Sequence, residues 1–281
     1  NEIADRCLDN IVADYGNTVL KSSARNEYMI ERTRRILRRT VWALQKQLEQ
    51  GEFQPEGFEV TFGGGRIDRV DIMEDQNKVY VKVIDYKTGN TSFDLVYLYH
   101  GLQLQLMIYL DGALRVEQKK YPYKEIIPAG VFYYNIKDPM IQEKIDADVE
   151  AVSAGLMKEL KMNGLVQADP ELVYRMDSSL GSIPVAFNKD GSFRKNSSVA
   201  DRTQFAVLGR YVRTKIEKIR SSILEGDAEV SPYELGKKNA CTYCPYMTVC
   251  GFDRRLSGYE FRRLKNFSDE ELWKAFDREA E

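Results

Sequence analysis

Gly65-Arg66-Ile67-Asp68-Arg69-Val70-Asp71-Ile72-Met73, a polar Glu74-Asp75-Gln76-Asn77-Lys78 stretch, and Val79-Tyr80-Val81-Lys82-Val83-Ile84-Asp85-Tyr86-Lys87-Thr88-Gly89 form one continuous segment. On both sides of the polar stretch, β-branched and aromatic residues alternate with others at period two, which predicts two strands joined by a turn. Side chains two apart on a strand share a face, so Val79, Val81, Val83, Asp85 and Lys87 point the same way. Asp68 likewise shares its side with Val70 and Ile72. An apolar face that ends in charge needs an explanation, because burying charge is costly unless it is paired or bound to a metal.

Two carboxylates on neighbouring strands suit a hard divalent cation such as Mg²⁺, which takes oxygen ligands and keeps several waters. An ammonium two residues beyond the second carboxylate stays close to the metal-bound water and to a phosphate, and phosphodiester hydrolysis is the chemistry such a set serves. The plainer reading makes Asp85 and Lys87 a strand-end ion pair and Asp68 a turn cap. Asp-x-Lys alone favours that plainer reading, and the Gly-x-Ile-Asp hairpin with its valine face turns the balance toward a metal site.

Gly65 to Asp71 followed by Ile84 to Gly89 resembles motifs II and III of the PD-(D/E)xK nucleases, in the form used by their RecB-like branch. The resemblance implies an α/β, restriction-endonuclease-like core, a central mixed sheet flanked by helices. It also implies roles. Asp68 and Asp85, with Glu59 and the Tyr86 carbonyl, would hold Mg²⁺, and Lys87 would orient the attacking water or stabilise the developing charge. Glu59 enters because related nucleases carry an acid shortly before the Gly-x-Ile-Asp strand; an ordinary surface glutamate is the alternative. Gln105 and Tyr109 match the Gln-x-x-x-Tyr motif that follows Asp-x-Lys in that branch, where it lines the active site and would position Lys87 and the scissile strand.

Around this centre, residues 1–25 read as mixed and helical, and the spacing of Ile30, Leu37, Val41, Leu44 and Leu48 predicts an amphipathic helix over 26–50 that stops at Gly51. Arg32, Arg34, Arg35, Arg38 and Arg39 on its other faces read as a solvated surface, with phosphate contact as the alternative. Phe58 to Phe62 reads as a strand, and Gly63-Gly64-Gly65 as a flexible lead-in too short for a phosphate loop. Leu98, Leu102, Leu106 and Leu110 predict one helix over 94–114, on which Gln105 and Tyr109 share a face. His100, the single histidine, reads as structural. Ala129 to Ile136 reads as a strand buried beside the catalytic hairpin, residues 137–198 as a polar cover with a helical pattern over 141–162, and Phe205 to Ile223 as a helix stopped by Gly226. Ser268 and Glu271 are spaced as a capping box. One domain over 1–281 is expected, with a core at 26–136, an insertion at 137–200 and a C-terminal helix and cysteine region at 201–281.

The net charge of −2 gives no compositional hint of nucleic acid, so DNA contact must come from local patches such as Arg254, Arg255, Arg262, Arg263 and Lys265. No run of about 18 apolar residues predicts a membrane span. A chain opening on Asn1 is expected to be part of something longer. Of four cysteines, Cys241, Cys244 and Cys250 sit in a Cys-x₂-Cys-x₅-Cys run, a density that points to metal or cluster ligation rather than a disulfide framework and so to a cytoplasmic setting. Zinc is the competing occupant.

A RecB-like core followed by this cysteine run is similar to the nuclease domains of the AddB family of helicase–nuclease subunits, over nearly the whole chain. The resemblance implies a metal-dependent DNA exonuclease for double-strand break processing and recombinational repair, hydrolysing single-stranded DNA fed from a duplex end. It implies that Cys241, Cys244 and Cys250 hold a [4Fe–4S] cluster with a fourth cysteine from upstream; Cys7, followed by Leu-Asp-Asn, does not match that context. No Gly-x₄-Gly-Lys-Ser/Thr occurs, so ATP-driven strand separation would belong to a partner helicase subunit resembling AddA. The rival readings are a non-catalytic DNA-end-binding and subunit-docking module, and a stand-alone iron–sulfur nuclease of the same fold.

Overall fold

A computed structural model of the chain describes residues 2–63, 65–141 and 148–280. Gly64 of the glycine lead-in and residues 142–147 of the expected 141–162 helical pattern lie outside the described residues. The chain separates into two compact units, one of residues 1–93 and 108–202, the other of residues 94–107 and 203–281.

The first unit opens with helix α1 (Glu2–Asp14), a 3₁₀ turn and helix α2 (Ala24–Glu49). Ser23 caps α2 by accepting from the Asn26 N–H at 3.3 Å. Thr40, Ala43 and Gln47 are the buried residues of α2, while Val41, expected inside, is exposed. Four of its arginines have carboxylate partners. Arg34 reaches Asp9 at 2.7 Å, Arg38 reaches Asp5 at 2.8 Å, and Arg35 and Arg39 converge on Asp138. These four guanidinium groups stitch α2 to α1 and to the segment near residue 138.

Next come β1 (Gln54–Phe62), β2 (Gly65–Asp75) and β3 (Lys78–Lys87), then α3 (Leu95–Tyr99), α4 (Gln105–Lys120), β4 (Glu125–Asn135), α5 (Val149–Glu159), β5 (Asn163–Gln167), α6 (Pro170–Met176) and β6 (Val199–Ala200). The six strands form one mixed sheet in chain order. β1, β2 and β3 are antiparallel neighbours, β4 runs parallel to β3, β5 antiparallel to β4, and β6 parallel to β5. A parallel step needs a long crossover, and the helical segment between β3 and β4 supplies it. Residues 79–85 of β3 are buried on both faces, which accounts for their near-continuous apolar character.

Two expectations are corrected here. The single helix over 94–114 is two helices, because Gly101 takes a left-handed φ of +78° and the Leu102 N–H turns back to the Tyr97 carbonyl at 2.8 Å. Leucines every fourth residue continue across this break and disguise it. The insertion expected over 137–200 instead donates β5 and β6 to the sheet. Asn163-Gly164-Leu165-Val166-Gln167 lacks a clear strand pattern because Gly164 stands where the neighbouring backbone comes closest: a Cβ there would lie 1.9 Å from the Val131 carbonyl oxygen.

The two faces of the hairpin are chemically different. Arg69, Asp71, Met73, Tyr80, Lys82 and Ile84 alternate onto one face, and Val70, Ile72, Val79, Val81 and Val83 onto the other. On the first, buried Arg69 grips both oxygens of fully buried Asp71 at 2.5 and 2.8 Å, and Lys82 joins at 3.1 Å. Asp177, whose carboxylate accepts from the Ser179 and Ser182 N–H groups, adds a second negative charge that acts on Lys82. Burial nevertheless pushes the Lys82 amine below the usual lysine range.

The second unit contains α3, α7 (Arg202–Leu224) from Thr203 onward, the short strands β7 (Tyr233–Leu235), β8 (Lys238–Asn239) and β9 (Arg262–Arg263), and α8 (Asp269–Ala280). Tyr99 stacks on Tyr211 at 5.5 Å, with Phe267 and Phe276 edge-on to it. His100 meets the Lys265 carbonyl at 2.8 Å, a structural contact. Gly226, at φ +76°, ends α7, and Glu271 accepts from the Ser268 N–H at 3.1 Å at the start of α8. Among the described residues no helix is long and apolar enough to cross a membrane.

Asp71 is the anion that two buried cations share, and removing one partner of a buried pair leaves charge uncompensated. Asp71→Ala is expected to destabilise the protein by about 3–5 kcal/mol, measured by urea denaturation, and adding Lys82→Met to that variant should recover part of the loss.

Candidate active site

The β2–β3 ladder runs Asp71↔Lys82, Val70↔Val83, Arg69↔Ile84. One step further brings Asp68 level with Asp85, on the face of the valines. The Asp68 carboxylate is tied there, because its Oδ2 accepts from the Tyr86 N–H at 2.9 Å. Asp85 is 2% exposed, and the Lys87 Nζ stands 2.7 Å from its Oδ2. Burial pushes the Asp85 carboxyl above the usual aspartate range, Lys87 pulls it back, and the charge of Asp68 pushes it up again. Two acids and an amine therefore converge at one end of the hairpin.

β4 closes the site from the other side. Its parallel register sets Tyr133 beside Asp85 and Asn135 beside Lys87. The Lys87 ammonium lies 5.5 Å from the centre of the Tyr133 ring. Burial, then Asp85 and Tyr109, push the Tyr133 hydroxyl up to about 12. Asn135 pins the chain leaving β3, its side chain accepting from the Thr91 N–H at 3.1 Å and donating to the Thr91 carbonyl at 3.0 Å.

Glu59 does not join these acids. The β1–β2 ladder passes from Phe58↔Arg69 to Val60↔Ile67, which leaves Glu59 level with Asp68. Its backbone, however, is left-handed at φ +52°, and its exposed carboxylate pairs with Arg66 Nε at 2.5 Å. Among the described residues no group of three or more acids, histidines or cysteines is gathered closely enough to hold a metal ion. The remaining pair fits Mg²⁺, an ion commonly bound through one or two carboxylates with water and phosphate oxygens completing its shell. Tyr109 belongs with the first unit, where its ring meets Phe62 edge-on at 5.8 Å, and Gln105, the first residue of α4, belongs with the second.

In the second unit Cys241, Cys244 and Cys250 are free and half-buried. The Cys244 N–H reaches the Cys241 carbonyl at 3.3 Å, and the Cys250 N–H the Tyr246 carbonyl at 2.9 Å. Burial raises the Cys241 thiol, with smaller contributions from Cys244 and Cys250. The donor chemistry suits iron or zinc, but three thiols do not complete a four-thiolate site and are not drawn to metal-holding distance. Cys7 is exposed on α1, in the first unit.

A model of the PD-(D/E)XK nuclease superfamily matches residues 1–251. The chain belongs to that superfamily. The mixed sheet with its helices is the fold expected of such a nuclease. Over its whole length the chain is also similar to AddB proteins, named as subunits of an ATP-dependent helicase/deoxyribonuclease. That of Lachnoclostridium phytofermentans is 42% identical over 302 residues, covering 99% of this chain. Those of Clostridium acetobutylicum and Thermoanaerobacter sp. (strain X514) are 36% and 34% identical, covering 98% and 100% of it. The likeness to the AddB family is thus matched by these relatives, of whose length the chain spans 26%.

Two features of this PD-(D/E)XK chain escape a reading of the motifs. Tyr133 sits in the apolar run Val131-Phe132-Tyr133-Tyr134, and only the parallel register brings it to Asp85. The Arg69–Asp71–Lys82 cluster does leave a signal, charges at alternate positions of otherwise apolar strands.

Asp85 sets a sign for stability against pH. Its folded value lies above the ordinary 3.8, so the stability it contributes is full below the ordinary aspartate range and is lost as pH rises through the folded value. Metal-free wild-type protein should therefore lose melting temperature relative to Asp85→Asn as pH rises through the range just above 3.8, followed by differential scanning fluorimetry.

Proposed function

We propose that this chain is a Mg²⁺-dependent deoxyribonuclease module of a helicase–nuclease subunit, hydrolysing phosphodiesters of single-stranded DNA during double-strand break processing and recombinational repair. The observation that carries the reading is the convergence of Asp68, Asp85 and Lys87 at the end of one hairpin, inside a chain of the PD-(D/E)XK superfamily. The relatives' name, which pairs helicase with deoxyribonuclease, supports the same chemistry.

Asp68 and Asp85 would hold the cation. When bound it supplies acidification of water and neutralisation of phosphate charge. The Tyr86 N–H keeps the Asp68 carboxylate turned toward β3, and Asn135 holds the departing chain so that Lys87 stays at the strand end. The Lys87 ammonium faces charge that develops on the phosphate, where a positioned cation in a partly dry site is worth most. Gln105 and Tyr109 are assigned to orienting Lys87 and the strand on the strength of the motif they match. Strand separation is assigned to a helicase partner resembling AddA, and the setting to the cytoplasm, where the DNA substrate lies. Cys241, Cys244 and Cys250 are assigned three of the four thiolates of a [4Fe–4S] cluster, supported by their spacing.

The purified protein is expected to nick single-stranded DNA with Mg²⁺ and not with chelator. Asp85→Ala and Lys87→Ala should each lower the rate by about 100-fold or more. Undiminished cutting by Asp85→Ala would assign the activity to a contaminant, and no cutting by the wild type would favour the docking module.

Iron analysis and visible absorbance test the cluster in the full-length polypeptide. Iron near four atoms per chain is expected, falling in Cys241→Ala. Zinc in its place would overturn the cluster assignment.

A further inference from the structure

Lys87 has a conflict built into its position. The carboxylate that holds its ammonium, Oδ2 of Asp85 at 2.7 Å, belongs to the same group that would bind the cation in the proposed function, on which this inference rests. Two cations cannot share one carboxylate at full strength. An ammonium on a flexible four-carbon stem, with its side chain 27% exposed, then depends on its remaining contacts once that anchor weakens.

One of those contacts does not compete for the metal. Tyr133 is 2% exposed and fixed in the middle of the sheet, and the Lys87 Nζ stands 5.5 Å from its ring centre. That is inside the roughly 6 Å reach of a cation over an aromatic face. The ring attracts the ammonium through its quadrupole and carries no net charge. The Tyr133 backbone is held by β5, since it is paired with Asn163, whose side chain donates to the Thr91 carbonyl at 2.9 Å and reaches the Tyr133 carbonyl at 3.5 Å.

We propose that Tyr133 is a positioning residue, whose ring face keeps the Lys87 ammonium at the scissile phosphate while Asp85 is engaged by the metal. The hydroxyl is not needed for this, and the π-face is.

The test separates ring from hydroxyl and both from packing. Tyr133→Phe should keep kcat within about three-fold. Pentafluorophenylalanine at 133, which keeps the shape and removes the negative face, should lower kcat about ten-fold relative to Phe with KM for DNA within about two-fold. In a Lys87→Ala background the same exchange should change the residual rate less than two-fold, because the ring acts through that amine. A readout independent of cutting is acetylation of Lys87 by a soluble active ester, followed by mass spectrometry in metal-free Asp85→Asn, where the carboxylate anchor is absent. Exchanging Phe for its pentafluoro analogue should speed labelling of Lys87 several-fold there.

Equal kcat for the two aromatic residues, the same loss with and without Lys87, or unchanged labelling would each overturn the proposal. Failure of the wild type to cut would sink the nuclease reading alone, and the labelling result would still decide whether Tyr133 holds the amine.

Discussion

The pairing register of β2 with β3 governs the whole first unit. With Arg69 opposite Ile84, every second residue of both strands is assigned to a face, and a slip by one would exchange the faces. Asp68, Asp85 and Lys87 would then meet the core that now receives Ile84, Phe132 and Tyr134, while Arg69, Asp71 and Lys82 would be carried to the other side. Because both faces of β3 are buried, either error is costly, and the register is correspondingly well determined.

The two charged clusters flanking that register are balanced differently. Asp71, fully buried, has a bidentate guanidinium and an ammonium, with Asp177 offsetting the surplus positive charge. Asp85, almost as buried, has one ammonium and a second carboxylate nearby. The first is close to electroneutral within the protein, while the second keeps an excess of negative charge and a carboxyl whose titration is pushed upward. A group held in that state is available to a cation from outside, which accords with the metal site proposed above.

Much of this was legible from alternation alone. Period two placed Asp68, Asp85 and Lys87 on one face of a hairpin, because side-chain direction in a strand is a local property. What alternation cannot convey is the register in which a non-adjacent strand comes alongside. Tyr133 and Asn163 reach the site through registers set by a crossover and by a glycine that lets β5 approach β4. The break at Gly101 was hidden by leucines in helical spacing on both sides of it. The arginines of α2 read as a solvated or phosphate-facing surface because their partners Asp5, Asp9 and Asp138 lie in other elements.

Glu59 shows how finely membership of the site is decided. Three acids, one from each of β1, β2 and β3, stand in a row across the sheet by register. The ladder closes on both sides of Glu59, at Phe58 and at Val60, so the row survives in the backbone while the side chain leaves it. A left-handed conformation costs a residue with a Cβ roughly 1–2 kcal/mol, and an exposed ion pair such as that with Arg66 contributes about 0–1 kcal/mol. The pair alone therefore does not account for the conformation, and the constraint must come from the flanking ladder. A single φ, bounded by two closed pairs, separates a two-carboxylate site from a three-carboxylate one.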